Sequence, residues 1–296
     1  MEETVQFTCN HKRLYGVLHL PDAIVAPSAV VIIVTGGPQV RTGAHRLYVQ
    51  LSRFLSQHHW PSFRFDYEGM GDSEGDFVGF QYAEPSITAA MTFLQKKFNR
   101  KLNFIFWSLC DGATVSALYG ARYPEHISGM ILCNPLVITD EGLARSTIKH
   151  YYRKRIFDKE FLRKLVRFKL NLMDTITSLW ASFKDAQFLK KEKQAGVDPI
   201  VPQLPDLVFD SLHRFAKPVR IILSTDDIVA SNFQDELKKN KVLVNDYKRN
   251  KISNHIINGA DHTFADPLAK KELFAITLKA LNVIGSPNSE KVHCST

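Results

Sequence analysis

No apolar run in this chain approaches the ~20 residues needed to span a bilayer; the longest is Ala29 to Val34 with its neighbours. That excludes a helical membrane span. The first residues, Met1-Glu2-Glu3-Thr4, are acidic and lack an apolar core, which argues against a secretory signal and predicts a cytoplasmic protein. Cysteine is scarce. Cys9, Cys110, Cys133 and Cys294 have neither metal-ligand spacing nor the density of a disulfide framework, so no metal is expected. Cys9 and Cys133 sit in apolar, strand-like runs and read as core thiols. Internal repeats are absent, as are helix-turn-helix, zinc and RNA-binding signatures, so no nucleic-acid partner is expected.

What is present is a globular composition, 45% hydrophobic, with regular alternation of elements. Short β-type runs occur at Val5–Cys9, Leu14–Leu20, Ala29–Val34, Ser62–Phe65, Asn103–Trp107, Gly129–Cys133, Val219–Leu223 and Asn254–Ile257. Several are unbroken Val/Ile/Phe/Leu blocks, as strands covered on both faces should be. Helical patterns separate most of them: His45–Gln57, Tyr82–Phe98, Ala113–Tyr123, Asn232–Lys239 and Pro267–Val283. Such alternation predicts an α/β fold, a mostly parallel sheet with helices on both faces.

From Leu143 to Phe215 the alternation stops. Leu143–Ile156, Lys159–Leu170 and Thr175–Lys191 keep helical spacing, followed by Pro199, Pro202 and Pro205 and a short helix at Asp206–Phe215. A helical insertion after a strand of such a sheet predicts a cap over the active face, because ligands bind beyond the strands' carboxyl ends. The expected organisation is a discontinuous core (1–137 and 216–285), a helical cap (138–215) and a flexible tail (286–296). The formal charge is +8, and residues 138–215 hold 15 Lys/Arg against ten Asp/Glu, a net of +5. That excess suits either a solvated helix face or a dock for an acidic partner, whose association a clustered field would speed.

The stretch Phe104-Ile105-Phe106-Trp107-Ser108-Leu109-Cys110-Asp111-Gly112-Ala113-Thr114 reads as strand, sharp turn and helix. It offers two nucleophiles, Ser108 and Cys110. A nucleophile on a strand-to-helix elbow occupies a strained backbone conformation, so the residues two positions away must be small. Around Cys110 these are Ser108 and Gly112; around Ser108 they are Phe106 and Cys110, and Phe106 would clash. Cys110 is therefore the expected nucleophile, and the helix start that follows favours a thiolate.

Partners follow in order. Asp226 and Asp227 come directly after Val219–Leu223, and His262 after Asn254–Ile257. Nucleophile, acid and His at successive strand ends is the chain order of an α/β-hydrolase triad. His262 would carry the proton while the acid fixes its tautomer and steadies the imidazolium. Asp227 is preferred as the acid, because Asp226 more naturally fills the turn after Ser224-Thr225. Asp261 reads as a loop cap. Oxyanion donors are expected from the backbone of Gly37, since Pro38 has no N–H, and from the N–H of Asp111. An ordinary turn is the competing reading of Gly36-Gly37-Pro38. Gln39, His45 and Arg46 are candidate substrate contacts, with a helix start bearing a surface Arg as the alternative for the last two.

The chain resembles the α/β-hydrolase superfamily and, within it, the exosortase A system-associated hydrolases of the first type. The resemblance rests on Gly36-Gly37-Pro38-Gln39 with Arg41, Gly43, His45 and Arg46; on Arg64-Phe65-Asp66-Tyr67 with Gly69-Met70-Gly71-Asp72-Ser73; and on Leu109-Cys110-Asp111-Gly112-Ala113. Asn134-Pro135, Gly142-Leu143-Ala144-Arg145, Lys149-His150-Tyr151-Tyr152 and Asp227 with Ala230 extend it through the insertion. Ser108 departs from it, Gly being more usual there. Similar proteins with a Cys elbow, such as dienelactone hydrolases, use a Cys–His–Asp triad, so the resemblance implies the fold and the nucleophile but no substrate. It also implies that the loop from Arg64 to Ser73 is structural.

The expected function is hydrolysis of an ester or thioester through an S-acyl-enzyme on Cys110, without a cofactor. An acyl group on coenzyme A or on an acidic acyl carrier protein fits the basic insertion. Two alternatives share the sequence: an acyltransferase that passes the acyl group to an alcohol or amine, and a catalytically silent module that binds through its basic cap. Oligomeric state is not encoded in any feature of the chain.

Overall fold

A computed structural model describes residues 1–22, 27–37, 39–77, 79, 82–137, 204–248 and 251–285. The chain divides into two units, Met1–Ile138 with Pro205–Thr296, and Thr139–Leu204. The first unit contains the sheet and the helices that cover it. The three helices expected at 143–191, the basic clusters Arg153-Lys154-Arg155 and Arg163-Lys164, and the tail 286–296 lie outside the described residues.

Eight strands form one sheet: β1 (Glu2–Cys9), β2 (Lys12–His19), β3 (Ala29–Val34), β4 (Ser62–Phe65), β5 (Asn103–Leu109), β6 (Ile127–Cys133), β7 (Val219–Ser224) and β8 (Ile252–Ile257). Their order is β1-β2-β4-β3-β5-β6-β7-β8. β1 and β2 pair antiparallel, as do β2 and β4; every pairing from β4 through β3 to β8 is parallel. The sequence dictates this placement. The apolar blocks of β3, β5, β6 and β7 suit strands buried on both faces, whereas β1 alternates exposed and buried residues at one edge.

The described helices are α1 (Leu47–Gln57), α2 (Glu84–Phe98), α3 (Asp111–Arg122), α4 (Leu204–Arg214), α5 (Ile228–Lys239), α6 (Lys241–Lys248) and α7 (Pro267–Ile284). Leu47, Leu51 and Leu55 of α1 and Leu273, Leu281 and Ile284 of α7 share a core cluster with Val31, Ile105, Trp107 and Ile131 of the sheet. α4, placed on sequence at the end of the insertion, falls almost wholly in the first unit. Its Phe209 meets Phe233 of α5 edge-on at 5.6 Å. None of the described helices is long and apolar enough to cross a membrane.

Candidate active site

Cys110 stands between the last residue of β5 and the first of α3, with φ 62° and ψ −127°. A side chain is rarely held there, at a strain of about 1–3 kcal/mol. The surroundings fix it. Its N–H donates to Cys133 O at 3.0 Å, and its carbonyl accepts from Ala113 N at 3.0 Å and Leu136 N at 3.2 Å. A Cβ on Gly112 would stand 2.5 Å from Val34 O, so only glycine lets α3 approach β3 this closely. Ser108, by contrast, is fully buried within β5, opposite Val34 and Leu132, and its hydroxyl makes no hydrogen bond to the described residues. Cys110 is partly exposed.

Asp227 follows β7 and caps α5, accepting from Val229 N at 3.0 Å and Ala230 N at 3.3 Å. Its Oδ2 also lies 2.8 Å from His262 Nδ1. Asp226 is exposed, and its carboxylate meets the neighbouring Thr225 hydroxyl at 3.3 Å. His262 follows β8. Burial alone would lower its pKa, but hydrogen bonds to Asp227 and to the Cys110 sulfur outweigh burial and push it up to about 10. The imidazole thus lies between a carboxylate and a sulfur, both of which favour its charged form. Asp261, beside it, accepts from Thr263 N at 3.1 Å and Ala265 N at 3.0 Å and so shapes the loop.

One positioning residue was not assigned from sequence. Asn134, fully buried with φ 44°, donates to Ser224 Oγ (3.0 Å) and His262 O (3.1 Å) and accepts from Ser224 N (2.9 Å). It ties the ends of β6 and β7 to the histidine loop. Its sequence signals were an Asn before Pro135, directly after a strand, and the place of that pair in the family resemblance, neither of which gave it a role.

The loop expected to supply an oxyanion donor follows β3. Arg41 anchors it: its N–H donates to Asp66 Oδ1 at 2.6 Å, and its guanidinium pairs with Asp66 and Asp72. Ser73 Oγ donates to Asp66 O at 3.0 Å and accepts from Tyr15 N at 3.1 Å, so the glycine-rich turn braces this loop. Gly37 N–H is not free; it donates to Asp111 Oδ2 at 2.5 Å. Gln39 accepts from Tyr48 OH at 2.7 Å. His45 and Arg46 are exposed and both left-handed, φ 51° and 58°, so helix α1 begins two residues later than its sequence pattern.

Among the described residues no group of three His, Cys, Asp or Glu side chains could hold a metal ion. A groove of about 730 Å³ runs between β1, α2 and α3, past Phe7, Glu84, Thr88 and Tyr119, but no candidate site residue lines it.

A sequence profile of the serine aminopeptidase, S33 family matches residues 26–266. The chain belongs to this family of α/β-hydrolases. It is thus an enzyme of α/β-hydrolase type. No curated protein sequence matches it. Solved structures share the fold at low identity. The esterase Pf2001 of Pyrococcus furiosus is 16% identical over 97% of this chain and 91% of its own, with a TM-score of 0.63. Est1E of Butyrivibrio proteoclasticus, solved with ferulic acid bound, is 17% identical over 94% and 99%, with a TM-score of 0.58. A dienelactone hydrolase of Anabaena variabilis is 12% identical over 95% and 96%, also at 0.58.

Proposed function

We propose that this α/β-hydrolase cleaves an ester or thioester through an S-acyl-enzyme on Cys110. The observation that carries the reading is the His262 ring held between Asp227 Oδ2 at 2.8 Å and the Cys110 sulfur. The Cys110 thiolate attacks the acyl carbon, forming a C–S bond while the carbonyl electrons move to oxygen. Collapse of that tetrahedral species breaks the bond to the alkoxide or thiolate leaving group, which takes the proton from His262. Water then attacks the thioester on Cys110, His262 removes its proton, and the sulfur leaves as the acid is released. Asp227 keeps Nδ1 as the donor so that Nε2 faces the sulfur.

Thiolate chemistry favours esters and thioesters over amides, because in amide attack the thiolate is the better leaving group. The Pyrococcus relative, an esterase by name, is consistent with this substrate class. An acyl group on coenzyme A or an acidic carrier protein is the sharper proposal, supported by the net +5 of residues 138–215. The test is intact mass spectrometry of the purified protein after exposure to a panel of acyl thioesters and aryl esters. An acyl adduct lost in Cys110→Ala but kept in Ser108→Ala is the expected result. Turnover that survives Cys110→Ala, or that dies with Ser108→Ala in a folded protein, sinks the mechanism.

A further inference from the structure

The amide expected to hold the oxyanion is already engaged. Asp111, first residue of α3, folds its carboxylate back over the elbow. It accepts from Gly37 N at 2.5 Å through Oδ2 and from Gly112 N at 3.1 Å through Oδ1. The fit leaves no slack: a Cβ on Gly36 would sit 1.8 Å from Oδ1, and one on Gly37 2.5 Å from Oδ2. The two glycines after β3 thus make room for a carboxylate at the place where a carbonyl oxygen must be received.

We propose that Asp111 gates the oxyanion hole: its carboxylate occupies the Gly37 N–H in the resting enzyme and must release it before Cys110 can be acylated. The reason is competition for a donor. An ionised carboxylate is a stronger acceptor than a neutral ester carbonyl, since charge-assisted hydrogen bonds are about twice as strong as neutral ones. An incoming ester therefore loses this contest at the ground state. Protonated, or turned aside by a substrate, Asp111 yields the amide, and as a neutral acid it adds an O–H that can donate to the developing oxyanion. Burial raises the Asp111 pKa against the pull of the Gly37, Asp111 and Gly112 amides and of the His262 charge. The ionisable groups facing it are His262, the adjacent Cys110, Tyr48 of α1 and Tyr67 after β4, both phenols being kept neutral by burial.

This inference rests on the S-acyl-enzyme reading, and two probes separate their failures. Acylation of Cys110 by p-nitrophenyl acetate passes through an oxyanion; alkylation by iodoacetamide at a saturated carbon does not. Both need the same thiolate. Asp111→Asn and Asp111→Ala are expected to raise the acylation rate constant at least ~10-fold, within the ~100- to 1,000-fold that one oxyanion donor supplies. Because loss of the Asp111 charge also acts on the thiolate–imidazolium pair, acylation is read as its ratio to alkylation, and that ratio should rise at least ~10-fold. An unchanged or lower ratio with Cys110 still alkylated overturns the gate and leaves the nucleophile standing. Absence of any Cys110 adduct from either probe takes down both readings. Should the variants fail to fold, the wild-type ratio of acylation to alkylation decides. It should rise as pH falls from 8 towards 5 while His262 keeps its proton, and a flat ratio overturns the gate.

Discussion

At Cys110 the backbone is held by shape: buried strands on either side, Gly112 pressed against Val34 O, and a dihedral pair that few side chains occupy. At His262 it is held by polar contacts drawn from distant parts of the chain. Asn134 reaches its carbonyl, Asp227 its ring, and the Thr225 hydroxyl accepts from Gly259 N at 2.8 Å on the same loop. The contrast matches the tasks. On the proposed mechanism the nucleophile must not move, whereas the histidine must pass a proton without losing its orientation. Packing gives the first; hydrogen bonds with defined directions give the second.

If the polar half depends on Asp227, then Asp227→Asn should lower kcat about 10⁴-fold by presenting the wrong tautomer, with the fold kept, whereas Asp226→Asn should be nearly silent. Steady-state kinetics with circular dichroism as the fold control checks both. Asn134→Ala strands the Ser224 amide and frees the histidine loop. It should cost about 3 kcal/mol in urea unfolding and up to ~100-fold in rate. Gly112→Ala attacks the packed half instead and should cost about 1–3 kcal/mol through overpacking. Cys110→Gly should prove about 1 kcal/mol more stable than Cys110→Ala, because glycine relieves the strained dihedral pair while alanine retains it. Equal stability of those two variants would show the elbow to be unstrained.

The smallest effect is a pH slope. His262 rises from an ordinary 6.5 to about 10 in the folded state. A raised pKa contributes stability that is full below pH 6.5 and is lost as pH climbs through about 10. The stability gap between wild type and Asp227→Asn, measured as urea midpoints, should therefore be wider at pH 7 than at pH 10. A constant gap would mean that the ring is neutral in both.

The packed half was the more legible in the sequence. The elbow conformation of Cys110 follows from two neighbours in the same short segment, because the steric rule is local. The apolar blocks likewise place the parallel strands, since burial on both faces leaves no polar alternation. The polar half resisted such reading. Asn134 meets its partners across 90 and 128 residues, and nothing in its flanks reports where its amide points. Asp227 could be preferred over Asp226 only by turn chemistry, while the carboxylate of Asp111 reaching Gly37 across 74 residues has no spacing signature at all. Helix α6 was missed because its eight residues, KVLVNDYK, mix apolar and polar positions over barely two turns. Its anchors are buried Leu243 and Asp246, the latter 2.7 Å from His213.

The strand order carries a kinetic consequence. β5, which bears the elbow, pairs with β3 on one side and β6 on the other, and β7 and β8 add in turn beyond β6. Cys110, Asp227 and His262 thus meet only after the parallel array has zipped out to its last strand. Non-local pairing of this kind closes long loops before any contact rewards them, so it forms slowly. During refolding, helix content should recover first and turnover of the proposed ester substrate last, with a lag between them. On a ribosome, a chain that has emerged as far as β7 would hold the proposed nucleophile without its proposed base, and so remain inert until the final strand joins the sheet.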